Sequence, residues 1–184
     1  MAHQGRVSSG GGTPPDGPDA DPEAVARSIA LARLAAAPRT RAELAQVMAK
    51  RGVPVDVAAR VLDRFEEVGL VDDAAFAHAW VQSRQAGRGL ARRALAGELH
   101  RRGVKPATAG AALNEIPPEA ELAAARRLVD RKLRSSTGLD RAVRMRRLVG
   151  MLARKGYASG VAIRVVKEAL DGDPTPVGDA AVHD

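Results

Sequence analysis

The 184-residue sequence predicts an all-α fold of three tandem three-helix repeats. Three observations lead to this prediction: one helical pattern occurs three times, only four residues are aromatic, and no stretch shows the sustained period-2 alternation of a strand. Ala, Leu and Val dominate the hydrophobic residues. Because alanine loses no side-chain entropy on entering a helix, this composition suits close-packed helices.

The repeated pattern is a leucine, a basic pair and a glycine at fixed spacing. The leucine precedes the glycine by eight residues, the two residues before the glycine are basic, and an alanine follows it by six. The three copies are centred on Gly52, Gly103 and Gly156, with Leu44, Leu95 and Leu148 before them and Ala58, Ala109 and Ala162 after them. A fixed period near 50 residues is typical of stacked supersecondary units, which form long binding surfaces more often than active sites.

The composition divides the chain into five segments. Both ends are rich in Gly, Pro and Asp and offer little to bury, so we expect them to be disordered. The segments are a disordered N-terminal extension (1–20), repeat one (21–72), repeat two (73–117), repeat three (118–171) and a disordered tail (172–184).

The first repeat shows the helix signals most clearly. Asp21 is placed to cap a helix over Pro22–Ala36, whose first residue is a proline, as is common at helix starts. Thr40 and Glu43 have the spacing of a capping box, and Gly52 ends the helix that they open. The remaining predicted helices cover 55–67 in repeat one, 73–85, 90–102 and 106–115 in repeat two, and 119–134, 139–155 and 159–170 in repeat three.

The net charge of +7 is unevenly distributed. Repeat one, counted from residue 22, has eight basic and seven acidic residues, repeat two has seven and three, and repeat three has thirteen and six. This gradient predicts a polyanionic partner that is met mainly by the second and third repeats. The alternative is a solvated basic surface without a partner.

Signals for catalysis, metals or cofactors are weak. The chain has no cysteine, which excludes disulfides, zinc–thiolate sites and a catalytic thiol. His3, His78, His100 and His183 are scattered without metal-ligand spacing, and no phosphate-binding loop follows Gly87. We therefore predict a protein that is not an enzyme, with no catalytic, cofactor-binding or metal-binding residues. No apolar run has the length of a signal peptide core or a membrane span, so we expect a cytoplasmic protein without membrane contact.

One segment carries a specific motif, Gly-x-x-Asp-Asp-x-x-Phe-Ala, formed by Gly69, Asp72, Asp73, Phe76 and Ala77. It continues through Trp80, Arg84, the run 87–89, Leu95, Leu99 and Gly103. With these residues the chain resembles the RecX family of bacterial modulators of the RecA recombinase, over roughly residues 25–171. Leu70 and Trp80 depart mildly from the pattern, because a tyrosine is common at both positions in such proteins.

The resemblance implies both an architecture and a function. It implies three tandem three-helix units in an elongated, curved molecule that binds in the groove of the RecA filament on DNA. It also implies that the protein damps recombinase, ATPase and coprotease activities. The partners so implied are the RecA filament and, nonspecifically, single- or double-stranded DNA, and we expect the protein to be a monomer.

The motif itself has an architectural explanation. Asp72 is placed to cap the next helix, and Asp73 complements the helix dipole in its first turn. Phe76 and Trp80 lie four residues apart on one helix face, so we expect them to pack against Phe65 in a junction of repeats one and two. The alternative is direct contact with a partner, such as stacking on bases, but Ala and Val rather than basic residues surround the two rings.

Basic residues are the better candidates for partner contact. Several arginines flank Gly87 and Gly89, which predicts a glycine-hinged loop that presents guanidinium groups. Others line the first two helices of repeat three. The candidates are Arg84, Arg88, Arg92, Arg93, Arg126, Arg127, Arg131, Lys132, Arg144 and Arg147. Guanidinium groups pair with phosphates and with carboxylates, so both DNA and acidic RecA residues remain open as their targets.

Two functions follow from these features. The first is a non-enzymatic modulator, mainly an inhibitor, of RecA. The alternative is a basic helical protein that acts by direct, nonspecific nucleic-acid binding through helix-turn-helix-like pairs. The basic pairs precede each glycine rather than begin a recognition helix, which argues against sequence-specific binding. We also expect the third repeat to dock loosely on the others as an electrostatic arm.

Overall fold

A computed structural model describes residues 21–136 and 138–173, and every regular element within these ranges is an α-helix. The predicted all-α class is confirmed for them. The helices are α1 (Pro22–Ala36), α2 (Arg41–Lys50), α3 (Val55–Glu67), α4 (Asp73–Arg88), α5 (Arg92–Arg101), α6 (Pro106–Asn114), α7 (Pro118–Leu133), α8 (Arg141–Arg154) and α9 (Ser159–Asp171). The disorder predicted for 1–20 and for the tail from 174 onward falls outside the described residues.

The helix starts follow the capping signals of the sequence. The Asp21 side chain accepts a hydrogen bond of 3.1 Å from the Glu23 amide at the start of α1. Thr40 and Glu43 form the predicted capping box of α2, with reciprocal bonds of 3.1 and 3.2 Å. Each bond satisfies an amide that has no partner within the helix. The observed bounds of α1 agree with the predicted helix, and α2 begins directly after its predicted capping box. The bounds of α3 also agree with the prediction.

The three repeated glycines adopt the same turn. Gly52, Gly103 and Gly156 have φ angles of 76°, 76° and 89°, a region that side-chain-bearing residues avoid. The amide after each glycine donates to the carbonyl five positions earlier, at 3.1 Å in all three cases: Val53 to Met48, Val104 to Leu99, and Tyr157 to Leu152. This is the pattern of a Schellman motif, and it confirms that the glycines end α2, α5 and α8.

The chain divides into two compact units between Asp72 and Asp73. The N-terminal unit contains α1–α3 around a core that includes Leu44, Met48 and Phe65. The C-terminal unit contains α4–α9. Within it, one core lies among α4–α6 and a second among α7–α9.

The aromatic residues of the predicted junction belong to the cores of two separate units, and the contact predicted between Phe65 and the other two rings stays a prediction. Phe65 belongs to the core of α1–α3, whereas Phe76 and the partly buried Trp80 belong to that of α4–α6. Phe76 and Trp80 are indeed neighbours on one helix face, and their rings stack with centroids 5.7 Å apart. Helical spacing identified the stacked pair, but spacing cannot show which distant side chain the pair meets.

Hydrogen bonds and the buried Ala91 join the third repeat to the second, contacts that the expectation of a loosely docked third repeat did not include. The Ala91 amide donates to the Lys155 carbonyl at 2.9 Å, and the Tyr157 hydroxyl donates to the Gly89 carbonyl at 3.1 Å. Ala91, which precedes α5, is fully buried and belongs to the core of α7–α9. The second and third repeats are therefore joined by one backbone hydrogen bond, by one bond from a side chain to a backbone carbonyl, and by shared apolar packing.

Glycine makes this close approach possible. A methyl group at Gly156 would lie 2.6 Å from the Ala94 amide nitrogen, and one at Gly89 would lie 2.9 Å from Leu128 Cδ1. Both distances are shorter than van der Waals contact. At Gly52 a methyl group would have no neighbour within 4 Å. Close packing between repeats therefore distinguishes Gly156 from Gly52.

Candidate binding surface

Five of the ten predicted contact residues make side-chain contacts within the fold: Arg84, Arg88, Arg92, Arg126 and Arg144. The Arg84 guanidinium lies 4.1 Å from the centre of the Trp80 ring. Arg92 donates to the Ile116 carbonyl and has its Nε 3.6 Å from Glu121. Arg126 pairs with Glu168 at 3.2 Å. These contacts give the three arginine side chains a role in holding the helices together.

Arg144 requires a correction. Its side chain is only 5% exposed, and it forms an ion pair with Asp173, beyond the end of α9. A buried guanidinium needs such a partner, because an unpaired charge in the interior is costly. Burial removes Arg144 from the candidate contact residues. No sequence pattern indicates this burial, since Arg144 occurs in a run of arginines that looks uniformly solvated.

The glycine-hinged loop also requires a correction. Helix α4 continues to Arg88, so Gly87 is helical and only Gly89, with φ of 58°, adopts the left-handed conformation. Gly89 ends the helix and, as described above, approaches Leu128 on α7. The arginines around these glycines are therefore held by a helix end and by the junction of two repeats, and no hinge is needed to present them.

The remaining candidates are exposed cations. Arg93 is exposed on α5, Arg127, Arg131 and Lys132 on α7, and Arg147 on α8. Arg88 is exposed at the end of α4, with Nη1 3.6 Å from Glu98. Neither Arg127 nor Arg131 forms an ion pair within residues 21–136 and 138–173. An exposed arginine in this state is free to bind phosphate or carboxylate.

Several of these cations surround one concave site, which we call the junction pocket. It has a volume of about 240 Å³, and its basic lining consists of Arg88 from α4, Arg127 and Arg131 from α7, and Lys155 after α8. The Lys155 ammonium donates to the Arg88 carbonyl at 2.6 Å. Burial lowers the pKa of Lys155, and the neighbouring positive charges of Arg88 and Arg131 lower it further. The pocket thus concentrates positive charge between the second and third repeats.

Trp80 lies in a second cationic environment. Its indole nitrogen donates to Glu98 Oε2 at 2.8 Å, and the Arg102 guanidinium lies 3.8 Å from the ring centre. With Arg84, two guanidinium groups thus contact one indole, and Glu98 supplies the compensating negative charge. Cation–π contact and the hydrogen bond together fix the ring, which supports an architectural role for the motif.

The acidic pairs considered from the sequence are engaged by arginines. Glu66 pairs with Arg41 at 2.7 Å, and Glu67 pairs with Arg64 at 3.0 Å. In the part of the chain that the structure describes, no group of three or more His, Cys, Asp or Glu residues is arranged to hold a metal ion. No helix in that part is long and apolar enough to cross a bilayer.

Sequence reasoning missed two of the basic residues at these sites. Lys155 lines the junction pocket, and Arg102 covers Trp80. Both are the second member of the basic pair before a repeated glycine, and both occupy the C-cap position of a helix. The repeat therefore contained a usable signal. The repeat does not show which element of the fold faces each glycine turn.

Family models match all three repeats in order along the chain. The models are RecX, first three-helix domain, at residues 26–65; RecX, second three-helix domain, at residues 72–113; and RecX, third three-helix domain, at residues 119–166. Together they cover most of the chain. The protein therefore belongs to the RecX family of regulatory proteins.

Comparisons with individual relatives agree. The chain is 55% identical over 154 residues to Regulatory protein RecX from Streptomyces coelicolor, covering 84% of this chain and 82% of the relative. It is 52% identical over 175 residues to Regulatory protein RecX from Thermobifida fusca, covering 94% of each chain. The crystal structure of RecX from Lactobacillus salivarius shares the fold, with a TM-score of 0.73 at 16% identity over 82% of this chain and 97% of that one.

Proposed function

We propose that this protein modulates the RecA recombinase, mainly as an inhibitor, by binding the RecA filament on DNA. It would damp DNA-dependent ATP hydrolysis, strand exchange and coprotease activity, and so limit homologous recombination, DNA repair and the SOS response. The observation that carries the proposal is the ordered match of all three repeats to the three RecX domains. The RecX family implies RecA as the partner.

The exposed cations of the second and third repeats support the proposal. A filament on DNA presents both phosphates and acidic side chains, and guanidinium groups bind either. The relatives are named regulatory proteins, which supports action without catalysis. Because the junction pocket is formed by one chain, a monomer suffices to present it. We place the protein in the cytoplasm, where RecA acts.

Direct nonspecific binding of nucleic acid is the second candidate function. The observation that favours it is the junction pocket, whose four cations need no protein partner to attract a polyanion. Such binding would weaken steeply with salt, because each bound phosphate releases counterions. The two functions differ in whether RecA is required for tight binding.

Titration of RecA's DNA-dependent ATPase tests the proposal. Purified protein is added to preformed RecA filaments on single-stranded DNA, from well below one molecule per RecA protomer up to equimolar. We expect hydrolysis to fall at the substoichiometric end, because one groove-bound molecule can block extension past its own footprint. Electron microscopy of the same samples shows whether filaments persist. Unchanged hydrolysis on filaments that remain intact at equimolar protein would refute the proposal.

A further inference from the structure

We infer that the junction pocket is a discrete binding site for one phosphate group of a nucleic-acid backbone. The inference rests on the proposed function insofar as a regulator bound to a RecA–DNA filament meets DNA phosphates. It goes further by assigning one phosphate to Arg88, Arg127, Arg131 and Lys155, and by excluding Arg92 and Arg144, which the fold uses for its own packing.

The first support is the concentration of like charge. Arg127 and Arg131 lie one helical turn apart on α7, so both project from one face. Lys155 comes from the turn after α8 and Arg88 from the end of α4, and both line the same pocket. Bringing four cations together costs electrostatic energy unless an anion relieves the repulsion. Among the described residues, the carboxylate that pairs with one of the four is Glu98, which lies 3.6 Å from Arg88 and is also paired with Arg84.

The second support is that the fold holds the pocket in place. The Lys155 ammonium is fixed by its hydrogen bond to the Arg88 carbonyl, so its position does not depend on a ligand. Lys155 and Arg88 are further tied together by the bonds from Ala91 to Lys155 and from Tyr157 to Gly89. A site built on such a framework is preorganised, and less entropy is lost when a ligand binds.

The third support is the match of size and chemistry to phosphate. A volume of about 240 Å³ is below the range of about 300–1,000 Å³ typical of pockets for drug-sized ligands, so it suits a compact anion. A phosphodiester exposes two non-bridging oxygens, which share its negative charge, and two bridging oxygens to donors on several sides. Cations from three separate segments match this arrangement better than they match a planar carboxylate, which one arginine fork already satisfies.

The experiment compares two double variants of the full chain. Arg127→Ala with Arg131→Ala removes two pocket cations that make no ion pair within the described residues. Arg164→Ala with Lys167→Ala removes the same charge from exposed positions of α9, outside the pocket. Binding to a fluorescein-labelled 20-nucleotide oligo-dT is measured by anisotropy from about 50 to 300 mM salt. Thermal melting confirms that both variants are folded.

We expect the pocket variant to bind oligo-dT about tenfold more weakly at 100 mM salt, and the α9 variant less than twofold more weakly, consistent with the loss of a charge-assisted contact. The slope of log K against log salt should flatten by about 0.7 in the pocket variant, the value for one phosphate on a single strand. Equal weakening of the two variants would mean diffuse attraction and would overturn the inference.

A second arm separates this inference from the proposed function. Both variants are also tested for binding to RecA-coated DNA and for inhibition of RecA ATPase. If the pocket variant binds bare oligo-dT like wild type but loses the filament, the pocket takes an acidic RecA side chain and the phosphate assignment is overturned. If wild type leaves RecA unaffected while the pocket variant loses oligo-dT, the proposed function fails and the phosphate site stands.

Discussion

Gly156 combines two requirements at one backbone position. Its φ of 89° favours glycine, and a methyl group there would meet the backbone of Ala94 at 2.6 Å. Gly138 shares the first requirement, with φ of 88°, but not the second, since a methyl group there would have no neighbour within 4 Å. The two glycines lie in the same compact unit, so they form a matched pair.

We therefore predict that Gly156→Ala is more destabilising than Gly138→Ala. The left-handed conformation should cost each variant about 1–2 kcal/mol in free energy of unfolding. Gly156→Ala should cost about 2 kcal/mol more, because the junction must open to admit the methyl group. Urea unfolding followed by circular dichroism measures both. Equal losses would show that the second and third repeats are not packed as described.

Tyr157 makes the junction sensitive to alkaline pH. Its ring is buried, and burial followed by the nearby charge of Glu121 raises its pKa to about 12. The unfolded chain has the ordinary tyrosine pKa of about 10. Between about pH 10 and 12 the Tyr157 hydroxyl ionises more readily in the unfolded chain than in the folded one. The free energy of unfolding therefore falls as the pH rises through this range.

The variant Tyr157→Phe tests this linkage. At pH 8 it should be less stable than wild type by about 1 kcal/mol, because the hydrogen bond to the Gly89 carbonyl is lost. Above pH 10 the difference should shrink, since phenylalanine has no proton to lose. The free energy of unfolding of both proteins is compared from pH 8 to 11. A constant difference across that range would contradict the assignment.

At the scale of single elements, helix α4 carries the family motif as a packing device. Its partly buried Trp80 stacks on Phe76, donates to Glu98 and is covered by Arg84 and Arg102. These contacts give Phe76 and Trp80 a role in packing the second repeat.

The variant Trp80→Ala should lower the free energy of unfolding by about 3 kcal/mol, the lower end for truncating a large aromatic residue, because the ring is not fully buried. Trp80→Phe should recover part of the loss by keeping the stack while losing the bond to Glu98. Chemical denaturation measures all three proteins, and oligo-dT binding is measured under folded conditions. A Trp80→Ala protein as stable as wild type that no longer binds would instead make the indole a contact group.

Local signals predicted the helices well because their causes are local. The caps at Asp21 and Thr40 and the turn at Gly52 depend on residues within a few positions, so α1, α2 and α3 followed from the sequence. Helix α8 begins two residues later than predicted. Its cap is the Asp140 side chain, which accepts a hydrogen bond from the Ala142 amide at 2.9 Å and which the sequence analysis does not identify.

The candidate site was only partly predictable because it depends on packing between repeats. Charge counting identified Arg88, Arg127 and Arg131, which the structure brings to one pocket. It also selected Arg144, since no pattern along α8 distinguishes a buried arginine from exposed ones. Sequence analysis missed Lys155 because its place in the pocket depends on which segment packs against the glycine turn. Its contact with Arg88 joins residues more than 60 positions apart in the sequence.

At the scale of the whole molecule, the repeats are not equivalent in their connections. The N-terminal unit ends at Asp72, and the six helices that follow form one compact unit containing two cores. Ala91, from the second repeat, completes the core of the third. Cutting the chain between α6 and α7 would therefore expose apolar surface that is buried within the C-terminal unit.

We predict that the fragment 73–184 folds cooperatively, whereas 118–184 does not retain native stability. The shorter fragment lacks Ala91 and the two hydrogen bonds that join Ala91 to Lys155 and Tyr157 to Gly89. Circular dichroism and thermal melting of the two fragments test this, with the fragment 1–72 as the comparison for a three-helix unit that contains its own core. A sharp melting transition for 118–184 near that of 73–184 would restore the view of an independent third repeat.

The central claim, that this RecX-family protein acts on the RecA filament rather than on DNA alone, is tested most directly by one comparison of affinities. Binding of the labelled full chain is measured to RecA-coated and to bare single-stranded DNA of the same length at about 150 mM salt, where attraction to DNA phosphates is weakened. We predict clearly tighter binding to the coated strand, by about tenfold or more. Equal affinity for the two would contradict the claim and favour direct nucleic-acid binding as the function.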